Sequence, residues 1–276
     1  MSLAHTREIV LAAQAAGRGV GAFNVIDLAL AEAIVAGAED ARKPVILQIS
    51  QNCVDYHGGL APIAAAAQAV AAAAMVPVAV HLDHAESVEL VAEALELGIK
   101  SIMYDASRLS DEANRASTGA VAALAQARGA WVEAELGEIG GKDGAHAPGV
   151  RTDPAAAARF VADTGVDSLA VAVGSSHAMT TRDATLDFEL IAAIRAAAPV
   201  PLVLHGSSGV PPADLARAVA AGMTKINVAT LLSQTFTDSV RATLAAEPGV
   251  ADARDYLGPA RAATAEAVTE LLRLIA

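Results

Sequence analysis

Three histidines stand at the ends of apolar, strand-like runs: His84 in VAVHLDHAES, His177 in LAVAVGSSHAM and His205 in PLVLHGSSGV. Neutral imidazole is a common ligand for borderline-soft metals, and three of them leave a fourth position open to water or substrate. That makeup suits a catalytic zinc rather than a structural one. Carboxylates accompany the histidines. Asp83 precedes His84, Asp105 ends IMYD, and Glu133 and Glu135 alternate with Val132, Ala134 and Leu136, so one strand face carries both. A buried carboxylate is costly unless a cation or strong donors lie beside it. A lone histidine at a strand end is usually a hydrogen-bonded structural residue, but three at one face with carboxylates favour a site. His81 alternates with Asp83 inside its run and reads as a buried supporting group. The same alternation turns His84 away from Asp83, which places His84 in the loop where the strand ends.

Ligands so far apart in the chain meet only in a fold that gathers many strand ends at one mouth. The chain supplies such a pattern: short aliphatic runs alternate eight times with alanine-rich helical segments. The runs are VGAFNV, PVILQIS, VAVHLD, KSIMYD, AWVEAEL, SLAVAV, PLVLHG and TKINVA. Helical segments of about 10–17 residues between them are long enough for parallel crossovers. Asp153-Pro154 and Pro211-Pro212 open helices, while Gly98, Gly129, Gly165 and Gly222 close them before the next strand. Eight such units make a single (β/α)8 TIM barrel over residues 1–276, with an extra C-terminal helical segment after Pro248. In that fold the active site lies at the C-terminal strand ends. Those ends carry Ser50, Asp83-His84, Asp105, Glu135, His177, His205-Gly206 and Asn227. The opposite ends are mostly glycine, proline and apolar, with Lys100 and Lys225 as exceptions. HGSSGV, after the seventh strand, is where barrels bring backbone N–H groups to phosphate. GEIGGKDGAHAPG is long enough for a mobile lid, with a plain exposed loop as the alternative.

Composition excludes several classes. The net charge is -12 and no basic run occurs, which argues against nucleic acid or an anionic membrane as partner. Cys53 is the one cysteine, so neither an intrachain disulfide nor a CxxC zinc site can form, and a reducing cytoplasm is the simplest compartment. Arg7 and Glu8 fall where a signal peptide would be apolar. The apolar stretch Leu60–Val80 is interrupted by Pro62, Gln68 and Pro77 and reads as an alanine-rich helix followed by a buried strand.

Taken in order, AFNV, HLDHAES, EAELGEIGG, LAVAVGSSHAM, PLVLHGSSGVP and KINVAT resemble the class II, zinc-dependent fructose/tagatose-bisphosphate aldolase family, from about Ala22 to the final helix. The resemblance implies that His84, His177 and His205 hold a catalytic zinc and that Asp83 handles the C4 hydroxyl proton of a ketose. It implies that Ser50 bonds the carbonyl oxygen and Asn227 contacts the enediolate. Asp105 and Glu135 match the family's second, noncatalytic metal position. Gly206, Ser208, Ala229 and Thr230 fall where the family grips phosphate, with Asn24 and Lys225 as further substrate contacts. Two departures stand out. The glycine-rich loop is short and offers Lys142-Asp143 where acidic residues ending in glutamate are usual, so Asp143 becomes the acid that protonates the enediolate. Ala178 replaces a glycine of the family's monovalent-cation and phosphate pocket, and the following MTTRD lacks the usual lysine, for which Arg182 could substitute. These departures leave the sugar and the monovalent-cation dependence open.

The expectation is a cytoplasmic ketose-bisphosphate aldolase acting on a phosphorylated sugar, as a homodimer or homotetramer. Other readings are an aldolase for another phosphorylated keto sugar or sugar acid, a metal-dependent isomerase or epimerase, and a noncatalytic subunit assisting an aldolase. A Schiff-base aldolase would need a strand-end lysine, and only Lys225 of the four lysines could face inward.

Overall fold

The structure, a computed structural model, describes residues 3–137 and 150–276. A short helix α1 (Thr6–Ala15) precedes strand β1 (Val20–Asn24), helix α2 (Leu28–Ala41) and β2 (Val45–Ser50). Two helices follow, α3 (Gln51–His57) and α4 (Ala61–Ala73), then β3 (Val78–Ala85), α5 (Val88–Glu96), β4 (Ser101–Tyr104), α6 (Asp111–Gln126) and β5 (Trp131–Leu136). The second half contains α7 (Pro154–Thr164), β6 (Ser168–Val171), α8 (Phe188–Ala197), β7 (Leu202–Leu204), α9 (Pro212–Ala221) and β8 (Met223–Val228). Two long helices, α10 (Thr230–Ala246) and α11 (Ala253–Ile275), close the chain. The strands are all parallel and form a closed barrel in sequence order, β1 pairing with β8. This is the (β/α)8 barrel with an added C-terminal helix that the alternating pattern implies.

Local chemistry explains the boundaries. The side chains of Asp27, Ser50, Ser87, Ser110, Asp153 and Asp187 each accept a hydrogen bond from a first-turn amide, capping their helices. Gly165 and Gly222 end α7 and α9 with positive φ, the conformation that stops a helix without a Cβ clash. Leu60–Val80 divides into α4 and the start of β3, and no helix among the described residues is long and apolar enough to cross a membrane. The C-terminal segment packs along α2. A Cβ on Gly37 would meet Ala265 O at 2.4 Å, and Thr269 Oγ1 donates to Gly37 O at 3.0 Å.

The barrel interior is layered. Ile9 and Val10 of α1 plug its floor against Val20, Ala22, Ile46, Ala79 and Trp131. Trp131 is buried, and its indole N–H is satisfied by Ser168 Oγ at 3.0 Å, as a buried polar handle requires. Above this floor lies a fully buried polar layer of Gln48, His81, Glu133 and Lys225. Inward side chains recur every second residue, so the next layer up is the mouth.

Candidate functional site

The mouth opens into a cavity of about 420 Å³ at the C-terminal strand ends. Asn24 enters it from β1, Ser50 from β2, Asp83 and His84 from β3, and Asp105 from just beyond β4. His177 follows β6, Gly206 and Ser208 follow β7, Asn227 ends β8, and Ala229 and Thr230 begin α10.

The expectation for His84 needs correction. It lies within β3, not in the loop beyond. Pairing with β4 jumps from Leu82↔Ile102 to Ala85↔Tyr104, which inserts one extra residue as a bulge. At this bulge His84 adopts a left-handed backbone, φ 51°, at a cost of about 1–2 kcal/mol. The bulge cancels the alternation, and consecutive residues Asp83 and His84 both face the mouth.

The three imidazoles form a mutual edge-to-face triangle, with ring centroids 4.8, 5.1 and 5.4 Å apart. One ligand atom from each of His84, His177, His205 and Glu135 lies within 4.8 Å of the others. His84 and His205 are oriented by carboxylates. Asp105 Oδ2 accepts a hydrogen bond from His84 Nδ1 at 2.6 Å; a carboxylate only accepts, so Nε2 is left with its lone pair. His205 is fully buried, with Nε2 3.2 Å from Glu133 Oε1 and Nδ1 3.2 Å from Glu135 Oε2. Gly206 lets the His177 loop approach the end of β7: its φ is 67°, and a Cβ there would meet Ser176 O at 2.3 Å. Ser175 Oγ donates to His205 O at 2.6 Å and ties the same junction.

Electrostatics beneath the histidines is dominated by buried pairs. Lys225 Nζ lies 3.0 Å from Glu133 Oε2. Burial opposes ionisation of Glu133, but Lys225 and the His205 hydrogen bond outweigh it and hold the carboxyl well below its usual value. Burial would also lower His205, yet hydrogen bonds to Glu133 and Glu135 raise it. His81 is pushed down to about 3 by burial and then by Lys225, so it is neutral; its Nδ1 lies 2.7 Å from Ser101 Oγ. Asp83 is 3% exposed. Burial raises its pKa, but His84, Lys225 and His205 together bring it below the ordinary carboxylate value.

This donor set fits a divalent transition metal. Three imidazoles and a carboxylate converge, and two glutamates around His205 call for positive charge at that point, which a cation supplies. Glu135 thus stands with the three histidines. Asp105 stands outside this group: besides His84, its carboxylate accepts from Ser107 N and Ser107 Oγ.

Other side chains are arranged for an oxygen-rich ligand. Ser50 Oγ accepts from Cys53 N at 3.3 Å, so its own proton is left to donate. Asn24 Oδ1 accepts from Gln48 Nε2 at 3.0 Å, which leaves its amide N–H groups for the cavity. Asn227 Oδ1 is buried without a hydrogen-bond partner. Ser208 Oγ accepts from Leu231 N at 3.1 Å in the first turn of α10, whose own N-cap residue Ala229 offers no side-chain cap, a helix N-terminus suited to an anion.

Two expectations end elsewhere, and a third is not placed. Lys225 does not line the cavity; it sits one layer deeper, its ammonium fully buried against Glu133. Asp143 lies outside the described residues. Arg182 is exposed and not among the lining residues. Sequence reasoning passed over Arg108, Glu86 and Asp55, which do line the cavity. Arg108 follows Asp105 by three residues, so extending the strand-end rule into the loop would have found it. Ala178, also lining, has φ 57°.

The chain matches the family model described as Fructose-bisphosphate aldolase class-II over residues 4–276. It is 40% identical to the probable fructose-bisphosphate aldolase of Bacillus subtilis (strain 168), over 99% of this chain and 97% of that protein. It is 39% identical to the fructose-bisphosphate aldolase of Geobacillus stearothermophilus, over 99% and 96%. Among solved structures, the YdjI aldolase of Escherichia coli K12 superposes with a TM-score of 0.88 at 32% identity, covering 99% of this chain and 97% of its own. A putative fructose-1,6-biphosphate aldolase from Coccidioides immitis gives 0.87 at 28% identity, covering 98% and 96%.

Proposed function

The chain belongs to the class-II fructose-bisphosphate aldolase family, and on that premise we propose that it is a zinc-dependent ketose-bisphosphate aldolase. It cleaves a ketose 1,6-bisphosphate of the fructose or tagatose type reversibly to dihydroxyacetone phosphate and glyceraldehyde 3-phosphate. The observation that carries this reading is the convergence of His84, His177, His205 and Glu135 with Asp83 adjacent in the chain.

Three imidazoles favour zinc over harder cations. When bound, the metal supplies Lewis-acid stabilisation for charge that develops on the three-carbon ketone half. Asp83, ionised and buried, takes the proton from the C4 hydroxyl. The C4 oxygen becomes the aldehyde carbonyl, the C3–C4 bond breaks, and its electron pair passes to C3 as the enediolate. Ser50 donates to the carbonyl oxygen, and Asn227 holds the enediolate through its side-chain amide. Gly206, Ser208, Ala229 and Thr230 take the phosphate of the ketone half at the α10 N-terminus, with the Asn24 amide donating to the same ligand. Asp143 is assigned the return of a proton to C3.

The test is coupled cleavage of fructose and tagatose 1,6-bisphosphates by purified protein, with and without chelator, beside metal analysis. Chelator-sensitive release of dihydroxyacetone phosphate with about one zinc per chain supports the assignment. Absence of cleavage from zinc-loaded protein overturns the substrate.

A further inference from the structure

His81 Nε2 and Asp83 Oδ1 are both buried without a hydrogen-bond partner among the described residues, and they lie 3.9 Å from each other. Both side chains come from the inward face of β3, and two residues of strand rise place the imidazole one layer below the carboxylate. Asp83 borders the cavity, whereas His81 does not line it.

The surroundings decide which nitrogen of His81 carries the proton. The imidazole is neutral, so it offers one donor and one acceptor. A lone pair on Nε2 would repel the carboxylate oxygen, whereas Nε2–H attracts it. Ser101 Oγ, 2.7 Å from Nδ1, can donate its proton there and complete that tautomer. Neighbouring donors are engaged elsewhere. Gln48 Nε2 donates to Asn24 Oδ1 at 3.0 Å, and Lys225 Nζ donates to Glu133 Oε1 at 3.1 Å.

We propose that His81 is a positioning residue for Asp83: its Nε2–H holds Oδ1 from below and leaves Oδ2 to meet the C4 hydroxyl, with Ser101 fixing the tautomer. This rests on the aldolase reading above and on Asp83 as its proton acceptor. A shift of about 1 Å brings the 3.9 Å separation to hydrogen-bond length. Contacts of this kind often tighten only with substrate in place.

The experiment separates two partial reactions. Cleavage of the bisphosphate needs the C4 proton removed, which is the task of Asp83. Exchange of a hydroxymethyl hydrogen of dihydroxyacetone phosphate with solvent involves the ketone half alone and bypasses Asp83. In His81→Leu, kcat for cleavage falls about 10²-fold, the cost of a reacting group misplaced by about 1 Å. KM, hydrogen exchange and bound metal stay near native. His81→Gln, whose Nε2 can take the place of the imidazole Nε2, recovers most of the loss. Ser101→Ala loses about tenfold in kcat, as for one neutral hydrogen bond, and nothing further in the His81→Gln background. Melting temperature is followed in every variant, and if His81→Leu does not fold, Ser101→Ala and His81→Gln carry the same comparison. Equal losses of cleavage and exchange, loss of metal, or unchanged kcat in His81→Leu or Ser101→Ala overturn the inference while the aldolase reading stands. Metal-loaded native protein that cleaves neither fructose nor tagatose 1,6-bisphosphate overturns both.

Discussion

Lys225 Nζ and Glu133 Oε2 lie 3.0 Å apart in the barrel interior, both side chains fully buried directly beneath His205. Removing one member of such a pair leaves an uncompensated charge in a medium that solvates it poorly, whereas removing both does not. Lys225→Met is expected to cost about 3–5 kcal/mol in urea unfolding of the metal-free protein. The double variant Lys225→Met, Glu133→Leu recovers most of that loss. Equal stabilities for the single and double variants would show that the pair is not isolated from water.

Asp83 is buried and held ionised beside the histidines, yet it is not one of the four closely grouped donors. Asp83→Ala keeps its metal and loses cleavage by about 10³-fold, within the range for a general base. Metal analysis and steady-state kinetics on the same preparation test this, and retained cleavage removes Asp83 from the proton transfer.

Asp105 acts through His84. Asp105→Asn keeps the size but can present its N–H₂ to Nδ1, so the imidazole loses its carboxylate acceptor. Metal affinity, measured by competition with a chromogenic chelator, falls about 10–100-fold. His205→Ala is the reference for outright loss of metal. Unchanged affinity in Asp105→Asn would mean that packing alone orients His84.

Ala178 carries a left-handed backbone that glycine adopts freely. Ala178→Gly relieves this conformation at the price of a more flexible unfolded chain, for a net gain of up to about 1 kcal/mol. Urea denaturation with metal-loaded protein measures it. A loss of stability would show that the alanine methyl makes contacts worth more than the strain.

The Cys53 thiol is raised to about 11 by burial and then by Asp27. An acid raised in this way stays protonated, so the thiolate is scarce at pH 8. Reaction with a disulfide reagent is therefore slow in the native protein and completes on unfolding. Rapid native labelling at pH 8 contradicts the burial.

The eight strands were legible because short aliphatic runs, buried on both faces as parallel strands are, recur between alanine-rich segments that glycines such as Gly165 and Gly222 stop. The residues at the strand ends were legible for the same reason, since a closed parallel barrel delivers them to one face. The bulge in β3 was not. An inserted residue between polar neighbours leaves no compositional mark, so strict alternation sent His84 outward. Depth was also hidden. Lys225 and Asn227 share an inward face, but two residues of rise, about 6.6 Å, separate a buried counter-ion from a cavity wall. The loop after β4 has no period to read, so Arg108, three residues past Asp105, is found only if the strand-end rule is carried into the loop. The role of helix α1 as the barrel floor depends on contacts with β1, β2, β3 and β5, which its own sequence does not announce.

The bulge at His84 binds two functions into one peptide unit. Asp83, the proposed proton acceptor, and His84, a candidate metal ligand, sit on consecutive Cα atoms, about 3.8 Å apart by covalent geometry, so no hinge or loop motion changes the spacing between their backbones. Movement of the strand end carries both together, and deleting the extra residue would send one of them to the helix side of the barrel. Side chains at the rim can change without altering the interval between these two residues.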